Sequence, residues 1–423
     1  MENVQMSNGK RHFIFSLLFL GWIVDSLTLF GMNVAIIPIS EELHLSQTQS
    51  GMVISSFWLS SACMTLIAGW FADKFGSRKV IVIAVFIISL FSLLTGMVGS
   101  FIAILAIRLI LGLGDGGLPT GSSVAITEIY KREVRARVKS MLLAAQLIGG
   151  VLALYISGLI ADTWGWRTMF YLIGGVGLVV TLLLVKYYHP PKVVKTTQDG
   201  KIHPKIPMKD LYKSKLLWIL VIMYFCSSIV HWGFSSWLPS YLEQTRGLNL
   251  KTVGSLAMIP QAFGLLSAIL TGYLIDKSLA GKEKFIVLIG AVISGIFLFL
   301  MFKAPSIQLA IIYQSIFSFG DSAIAMAIIS IPLKYVSQNV IGSFMGTMYF
   351  TGGLAGFIAP TAMGILIDAF EGSFQAAFIF LIGVLVVVLI CTILFKLPKN
   401  KTSIYESASL EVKAQVPLIV KKS

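Results

Sequence analysis

The sequence predicts an all-α membrane protein of twelve transmembrane helices, arranged as two pseudo-symmetric six-helix bundles. Three observations carry that expectation. Of 423 residues, 56% are hydrophobic and only 12% charged, with a mean hydropathy of +0.86, against about 25% charged in a soluble domain. The apolar residues gather into twelve runs, each of about 20 residues, the length that crosses roughly 30 Å of hydrocarbon. The second half of the chain also repeats spaced motifs of the first, at offsets of 203 to 206 residues. In lipid an exposed strand leaves backbone groups unpaired, and a barrel shows short alternating segments, so the runs are read as helices.

The first run, 13–39, carries Asp25 within an apolar stretch. The second, 49–72, closes on Gly69-Trp-Phe-Ala-Asp73-Lys74-Phe-Gly76-Ser-Arg78-Lys79. Its glycines allow close helix approach and a tight turn, Asp73 suits a neighbouring helix N-terminus, and the cations suit headgroups. After the third run, 80–99, the fourth, 101–127, holds Arg108 and Asp115. Two helical turns separate them, so they share a face. Ionised groups at that depth are tolerated when paired or facing a wet cavity, which makes both functional candidates. Arg108 offers a planar fork to a carboxylate, and Asp115 is a candidate proton carrier. Pro119 and the glycines around Asp115 imply a bent, closely packed helix. The fifth run, 141–161, closes on Gly158-Leu-Ile-Ala-Asp162, and the sixth is 168–188. Residues 189–215, with Pro190, Pro191, Pro204, Pro207 and many lysines, read as a solvated linker.

The seventh run, 216–240, contains His231 and Trp232, with Trp237 and Tyr241 beyond, as candidates to line a cavity. The eighth, 253–275, closes on Gly272-Tyr-Leu-Ile-Asp276-Lys277, echoing Gly69–Lys74. After the ninth, 285–302, the tenth, 306–332, has Gly320-Asp321 where the fourth has Gly114-Asp115, and Gln314 where it has Arg108. The acid is kept and the cation is lost. The eleventh, 341–367, closes on Gly364-Ile-Leu-Ile-Asp368, the counterpart of Gly158–Asp162, and the twelfth is 374–396. The expected organisation is an N-terminal bundle over 1–188, a linker over 189–215, a C-terminal bundle over 216–396 and a tail over 397–423. Two similar bundles able to tilt about a central site are what a rocking transporter needs.

Charge gives the orientation. Lys74, Arg78 and Lys79, then Lys131, Arg132, Arg135, Arg137 and Lys139, then the lysines of 186–215, then Lys277, Lys282 and Lys284 all fall on one side with both termini. The other side offers Arg167, Arg246, Lys251 and Lys303. The positive-inside rule puts both termini in the cytoplasm, and the short loops look bacterial, so the cell membrane is the expected address. The net charge of +14 is thus topology, and no nucleic-acid partner is expected. Cys63, Cys226 and Cys391 lie in apolar stretches without metal or disulfide spacing, and read as packing residues. A phosphate-binding loop, a nucleophile–base constellation and a metal-ligand cluster are all missing from the sequence, so an enzyme is not expected.

At these residues the chain resembles the anion:cation symporter family within the major facilitator superfamily. The resemblance is carried by Gly69–Lys79; by Arg108–Pro119 with Arg135; by Trp237-Leu-Pro-Ser-Tyr241-Leu, then Arg246-Gly and Gly254 to Pro260; and by Gly352-Gly-Leu-Ala-Gly-Phe-Ile-Ala-Pro360 with Gly372-Ser-Phe374. It covers nearly the whole chain through the twelfth span. It implies the major facilitator fold and proton- or sodium-driven uptake of a small organic anion, such as a sugar acid or aromatic acid. It further implies alternating access without a cofactor, with Arg108 near the substrate and Asp115 in proton coupling. Gly69, Asp73, Lys74, Gly76, Arg78 and Lys79 would form the switch motif that latches the cytoplasmic side. Two positions depart from the family: Thr28 and Leu29 replace a first-span Asp-Arg pair, with Asp25 one turn earlier, and Asp115 replaces a Glu. The candidate substrate-binding set is Arg108, Gln146, His231, Gln314 and Tyr349, and the proton-coupling set is Asp115, Asp25 and Asp321. The expected partners are an anionic small molecule and the lipid bilayer, and the expected state is a monomer. The alternative is a proton-coupled exporter of drugs or metabolites, with a more aromatic and less cationic cavity, towards which the missing first-span arginine leans.

Overall fold

The structure is a computed structural model that describes residues 8–190, 212, 215–336 and 341–395. Most of the expected linker and all of the expected tail lie outside the described residues. Eleven continuous helices among the described residues are long and apolar enough to cross a bilayer. The first four are α1 (Asn8–Glu42), α2 (Gln47–Phe75), α3 (Ser77–Thr95) and α4 (Phe101–Ile129). The next runs over Arg132–Tyr187, 56 residues, and is broken at Gly165, whose φ of 81° and ψ of 158° are not helical. That length is well over twice what one crossing needs, so its limbs are two crossings, α5 (132–164) and α6 (166–187). Then follow α7 (Lys215–Arg246), α8 (Leu250–Lys277), α9 (Glu283–Phe302), α10 (Ile307–Tyr335), α11 (Ile341–Ala369) and α12 (Phe374–Leu394).

The twelve expected crossings are present, with one difference in how they join. The polar stretch between the fifth and sixth runs is helical up to a single glycine. A positive φ is cheap only without a Cβ, so Gly165 reverses the chain in one residue, as Gly76 (φ 83°) does between α2 and α3. Several helices also extend a turn beyond their apolar runs, because polar side chains cap them. Ser46 and Gln49 form a capping box on α2, and Ser100, Asn249 and Ser306 cap α4, α8 and α10; each such cap stabilises by about 1 kcal/mol. Of the cysteines, Cys226 is buried as a packing residue should be, whereas Cys63 is exposed; its side of α2 is one that the apolar run alone does not identify.

The repeat is visible in the ties within each bundle. Ser77 donates to Glu128 between the start of α3 and the end of α4. The corresponding positions, 206 residues later, hold Glu283 and Lys334, whose Oε1 and Nζ are 2.9 Å apart. Arg78 donates to the carbonyl of Val185 at 2.6 Å near the end of α6. Its counterpart Lys284 donates to the carbonyls of Ile393 and Phe395 at 2.9 and 2.7 Å near the end of α12. The residue chemistry has diverged while the tie has persisted.

The bundles meet through α2 with α11, α5 with α8, and α1 with α7, and they meet at one face. A Cβ on Gly51 would come within 2.5 Å of the Pro360 carbonyl, and one on Gly158 within 2.6 Å of the Leu250 carbonyl. Ser55 and Thr361 share a 2.8 Å hydrogen bond, and Asn33 donates to the Ser235 carbonyl at 3.2 Å. Asp368 of α11 accepts from the backbone N–H of Gln47 (3.0 Å), that of Thr48 (2.8 Å) and the Thr48 hydroxyl (2.6 Å). A carboxylate thereby sits at the positive end of α2. At the opposite face, which carries the basic α2–α3 turn, a Cβ on Gly69, Gly342 or Gly346 would meet nothing within 4 Å. The bundles are sealed at one face and parted at the basic face.

Candidate functional site

The parting leaves a cavity of about 710 Å³, lined from α1, α2, α5, α7, α8, α10 and α11. This is the size range of small-molecule sites. Towards the sealed face it carries aromatic residues: the Trp58 and Trp232 rings lie 4.0 Å apart and Phe30 lies 6.3 Å from Trp232. Gly356 of α11 makes room for Trp58, since a Cβ there would come within 2.7 Å of the indole. The wall also offers hydroxyl and amide groups, among them Ser61, Gln146, Ser228, Gln261 and Tyr349.

Two titratable side chains of opposite charge type line this wall. His231 of α7 and Asp321 of α10 pair through Nδ1 and Oδ2 at 2.9 Å. The His231 side chain is 35% exposed and Asp321 only 3%, so the imidazole faces the cavity and the carboxylate stands behind it. Asp321 Oδ1 has no hydrogen-bond partner. Gln314, two turns before Asp321, is fully buried away from the cavity, and neither of its amide atoms is hydrogen-bonded.

The N-terminal bundle holds the second cluster. Arg108 is fully buried. Its Nε donates to the Val53 carbonyl at 3.3 Å and its guanidinium lies 4.8 Å from the centre of the Phe57 ring. Nη1 and Nη2 make no hydrogen bond, and Asp115 and Asp25 stand within its electrostatic reach. Asp25 and Asp115 are themselves within electrostatic reach of one another, and Asp25 Oδ1 has no hydrogen-bond partner. Ser61, on the cavity wall, donates its hydroxyl to Asp115 Oδ2. Asp115 is therefore one hydrogen bond behind the cavity.

The geometry divides the expected site residues by their place relative to the cavity. Arg108, Gln314, Asp25 and Asp115 do not line the cavity, whereas Gln146, His231, Tyr349 and Asp321 do. Helical spacing put Arg108 and Asp115 on one face, but α2 covers that face. A Cβ on Gly112 would collide with the Phe57 carbonyl, and one on Gly116 with the Ser61 carbonyl, so these glycines let α2 lie directly on α4. Trp237 and Tyr241 are likewise buried rather than lining. Trp237 donates to the Pro360 carbonyl at 2.9 Å, and Tyr241 packs edge-on against Phe374 and Phe378.

In the α2–α3 motif, Gly76 makes the turn, Arg78 holds Val185, and Lys74 and Lys79 lie 4.6 Å from the Trp70 ring and 6.0 Å from the Phe75 ring. The Asp73 side chain lies outside the described residues. Among the described residues, no hydrogen bond or ion pair from Gly69–Lys79 reaches the second bundle, consistent with the parted basic face.

The two clusters occupy corresponding positions of the repeat. Asp25, Arg108 and Asp115 are each followed, 206 residues later, by His231, Gln314 and Asp321. The sequence reading paired the last two and missed the first, because an acid and an imidazole share no obvious motif. It also missed Ser61. The same offset was the available signal: it leads from Ser61 to Ser267, another buried hydroxyl, which donates to the Phe319 carbonyl at 2.5 Å.

Comparison with known proteins agrees with this architecture. The family model described as Major Facilitator Superfamily matches residues 18–360 and 278–419. The chain is 27% identical over 402 residues to the hexuronate transporter of Bacillus subtilis, covering 90% of this chain and 93% of that one. It is 28% identical over 388 residues to a probable sulfoacetate transporter of Cupriavidus necator, covering 87% and 90%. It is 23% identical over 418 residues to a probable galactarate/D-glucarate transporter of Escherichia coli, covering 90% and 92%. In fold it is similar to the crystal structure of a bacterial homologue of the human lysosomal transporter Spinster, with a TM-score of 0.81, 19% identity and coverage of 92% and 97%. The chain belongs to the major facilitator superfamily: it is a membrane transporter and not an enzyme.

Proposed function

We propose that this transporter takes up a small organic anion together with protons, by alternating access, as a monomer in the cell membrane. The observation that carries the reading is the cavity between the bundles, with the His231–Asp321 pair on its wall and Asp115 one hydrogen bond behind it. On the positive-inside orientation the parted basic face is cytoplasmic, and the cavity opens inward. The relatives named for hexuronate and sulfoacetate support an anionic cargo. Gln146, His231 and Tyr349 hold the substrate. Asp115 with Asp25, and Asp321 with His231, change protonation between the two facings. A proton drives transport only if its binding and that of substrate depend on one another, and Ser61 is the physical connection between the sealed acids and the wall.

The test is reconstitution. Proteoliposomes bearing an inward proton gradient should accumulate a hexuronate above equilibrium, and collapse of the gradient by an uncoupler should abolish the excess. Accumulation that follows an inward sodium gradient instead would replace the proton by sodium.

The exporter reading retains one observation in its favour: the described cavity wall carries no Lys or Arg and is rich in aromatic side chains. Sided vesicles separate the two. Uptake by right-side-out vesicles supports the symporter, and uptake confined to inside-out vesicles supports the exporter.

A further inference from the structure

We infer that the cavity selects singly charged polyhydroxy acids over doubly charged ones, with protonated His231 as the counter-charge to the substrate's one carboxylate. The inference rests on the anion-transport reading above and adds what that reading leaves open. Relatives named for a hexuronate and for galactarate/D-glucarate both match the chain, so likeness does not choose between one carboxylate and two.

The charges on the wall do choose. Among the described lining residues, Asp321 is the one carboxylate, His231 is the one group that becomes cationic, and Tyr224 and Tyr349 are neutral phenols. Lys and Arg do not occur there. Arg108 does not compensate for this, because it is buried outside the lining and faces two acids of its own bundle, Asp25 and Asp115. The cavity thus offers a substrate at most one positive charge, and that charge is made by a proton. Asp321 holds Nδ1 of His231, which fixes the ring and leaves Nε2 as the donor available to the cavity. A carboxylate at Nε2 meets the ring on the side away from Asp321. The hydroxyls of a sugar acid then meet Ser61, Gln146, Ser228 and Gln261 along the wall.

A second carboxylate at the far end of the same carbon skeleton meets no second cation, because His231 is the one described lining group that can carry a positive charge. Leaving that carboxylate without a counter-charge corresponds to roughly a 10- to 100-fold loss of affinity. The closest chemical pairs are a hexuronate and the aldarate made by oxidising its aldehyde carbon, which differ little in size and by one charge.

The experiment is a thermal-shift titration of the purified full chain with glucuronate, galacturonate, D-glucarate and galactarate. A ligand of the folded state raises the melting temperature according to its affinity. The wild type should bind the uronates about 10- to 100-fold more tightly than the aldarates. His231→Gln should weaken uronate binding, while the ligand-free melting temperature reports whether that variant is folded. Aldarates binding the wild type as tightly as uronates would overturn the inference and leave anion transport standing, and so would unchanged uronate affinity in folded His231→Gln. If none of the four acids shifted the wild type, both the inference and the anion reading beneath it would fall.

Discussion

The two bundles place three polar residues at the same positions of the repeat and treat them in opposite ways. In the N-terminal bundle Asp25, Arg108 and Asp115 form a cluster sealed beneath Phe57, with Ser61 as its connection to the cavity. In the C-terminal bundle His231 and Asp321 stand on the cavity wall, and Gln314, in the place of the arginine, is neutral. A fixed cation beside two acids can stay out of water only where the protein itself supplies the compensation. An imidazole beside one acid needs none when neutral, and gains a charge when protonated. The comparison teaches that position in the repeat does not determine exposure. What covers each position does, and here the cover is α2 lying on α4.

The strongest way to break this comparison is to remove the sealed cation. Arg108→Gln leaves two buried acids without their counter-charge, and the protein should lose about 3–5 kcal/mol of stability, read as a large drop in melting temperature. Adding Asp25→Asn gives the N-terminal cluster one acid beside two uncharged positions, as in the C-terminal bundle with His231 neutral. The double variant should recover most of that loss, measured by the same unfolding assay. No recovery would mean that Arg108 is held by packing and not by its acids.

The sealed face offers the next effect. Gly158→Leu forces a side chain into the contact with Leu250 and Gly254, at a cost of about 1–3 kcal/mol, which shifts the population by about 5- to 150-fold towards a state open at that face. A cysteine introduced at Thr48, in a background lacking Cys63, should then react correspondingly faster with a membrane-impermeant maleimide. Asp368→Asn keeps the packing and weakens only the charge at the end of α2, so the same labelling rate should rise by a few-fold, about 0.5–1 kcal/mol. Smallest is Glu42→Gln. Its carboxylate pairs with both terminal nitrogens of Arg167 at 2.5 and 2.6 Å, but the two side chains are 44% and 36% exposed. The change in stability should stay within about 1 kcal/mol and fade with added salt.

Much of the scaffold was legible because lipid imposes length and continuity on apolar runs. The spans, the repeat and the identities of the polar residues at depth all came from that constraint. The Gly165 break was not legible: a lone glycine between Trp164 and Trp166 reads as part of a connection, and only the backbone reveals that helix continues up to it. Exposure in the site was not legible either. Arg108 and Asp115 share a face by spacing, but Gly112 and Gly116, which decide what lies on that face, read only as signs of close packing. His231 was hard to weigh alone and gains meaning from Asp321, 90 positions away in sequence and 2.9 Å away in space.

The central claim is that a proton held in the sealed cluster is linked through Ser61 to a substrate held at the wall. Two assays on one variant in proteoliposomes test it most directly: exchange of labelled for unlabelled glucuronate at equal pH, and accumulation under an inward proton gradient. Asp115→Asn should retain exchange, because the cavity wall is intact, and lose accumulation. Accumulation at the wild-type level in Asp115→Asn would contradict the account.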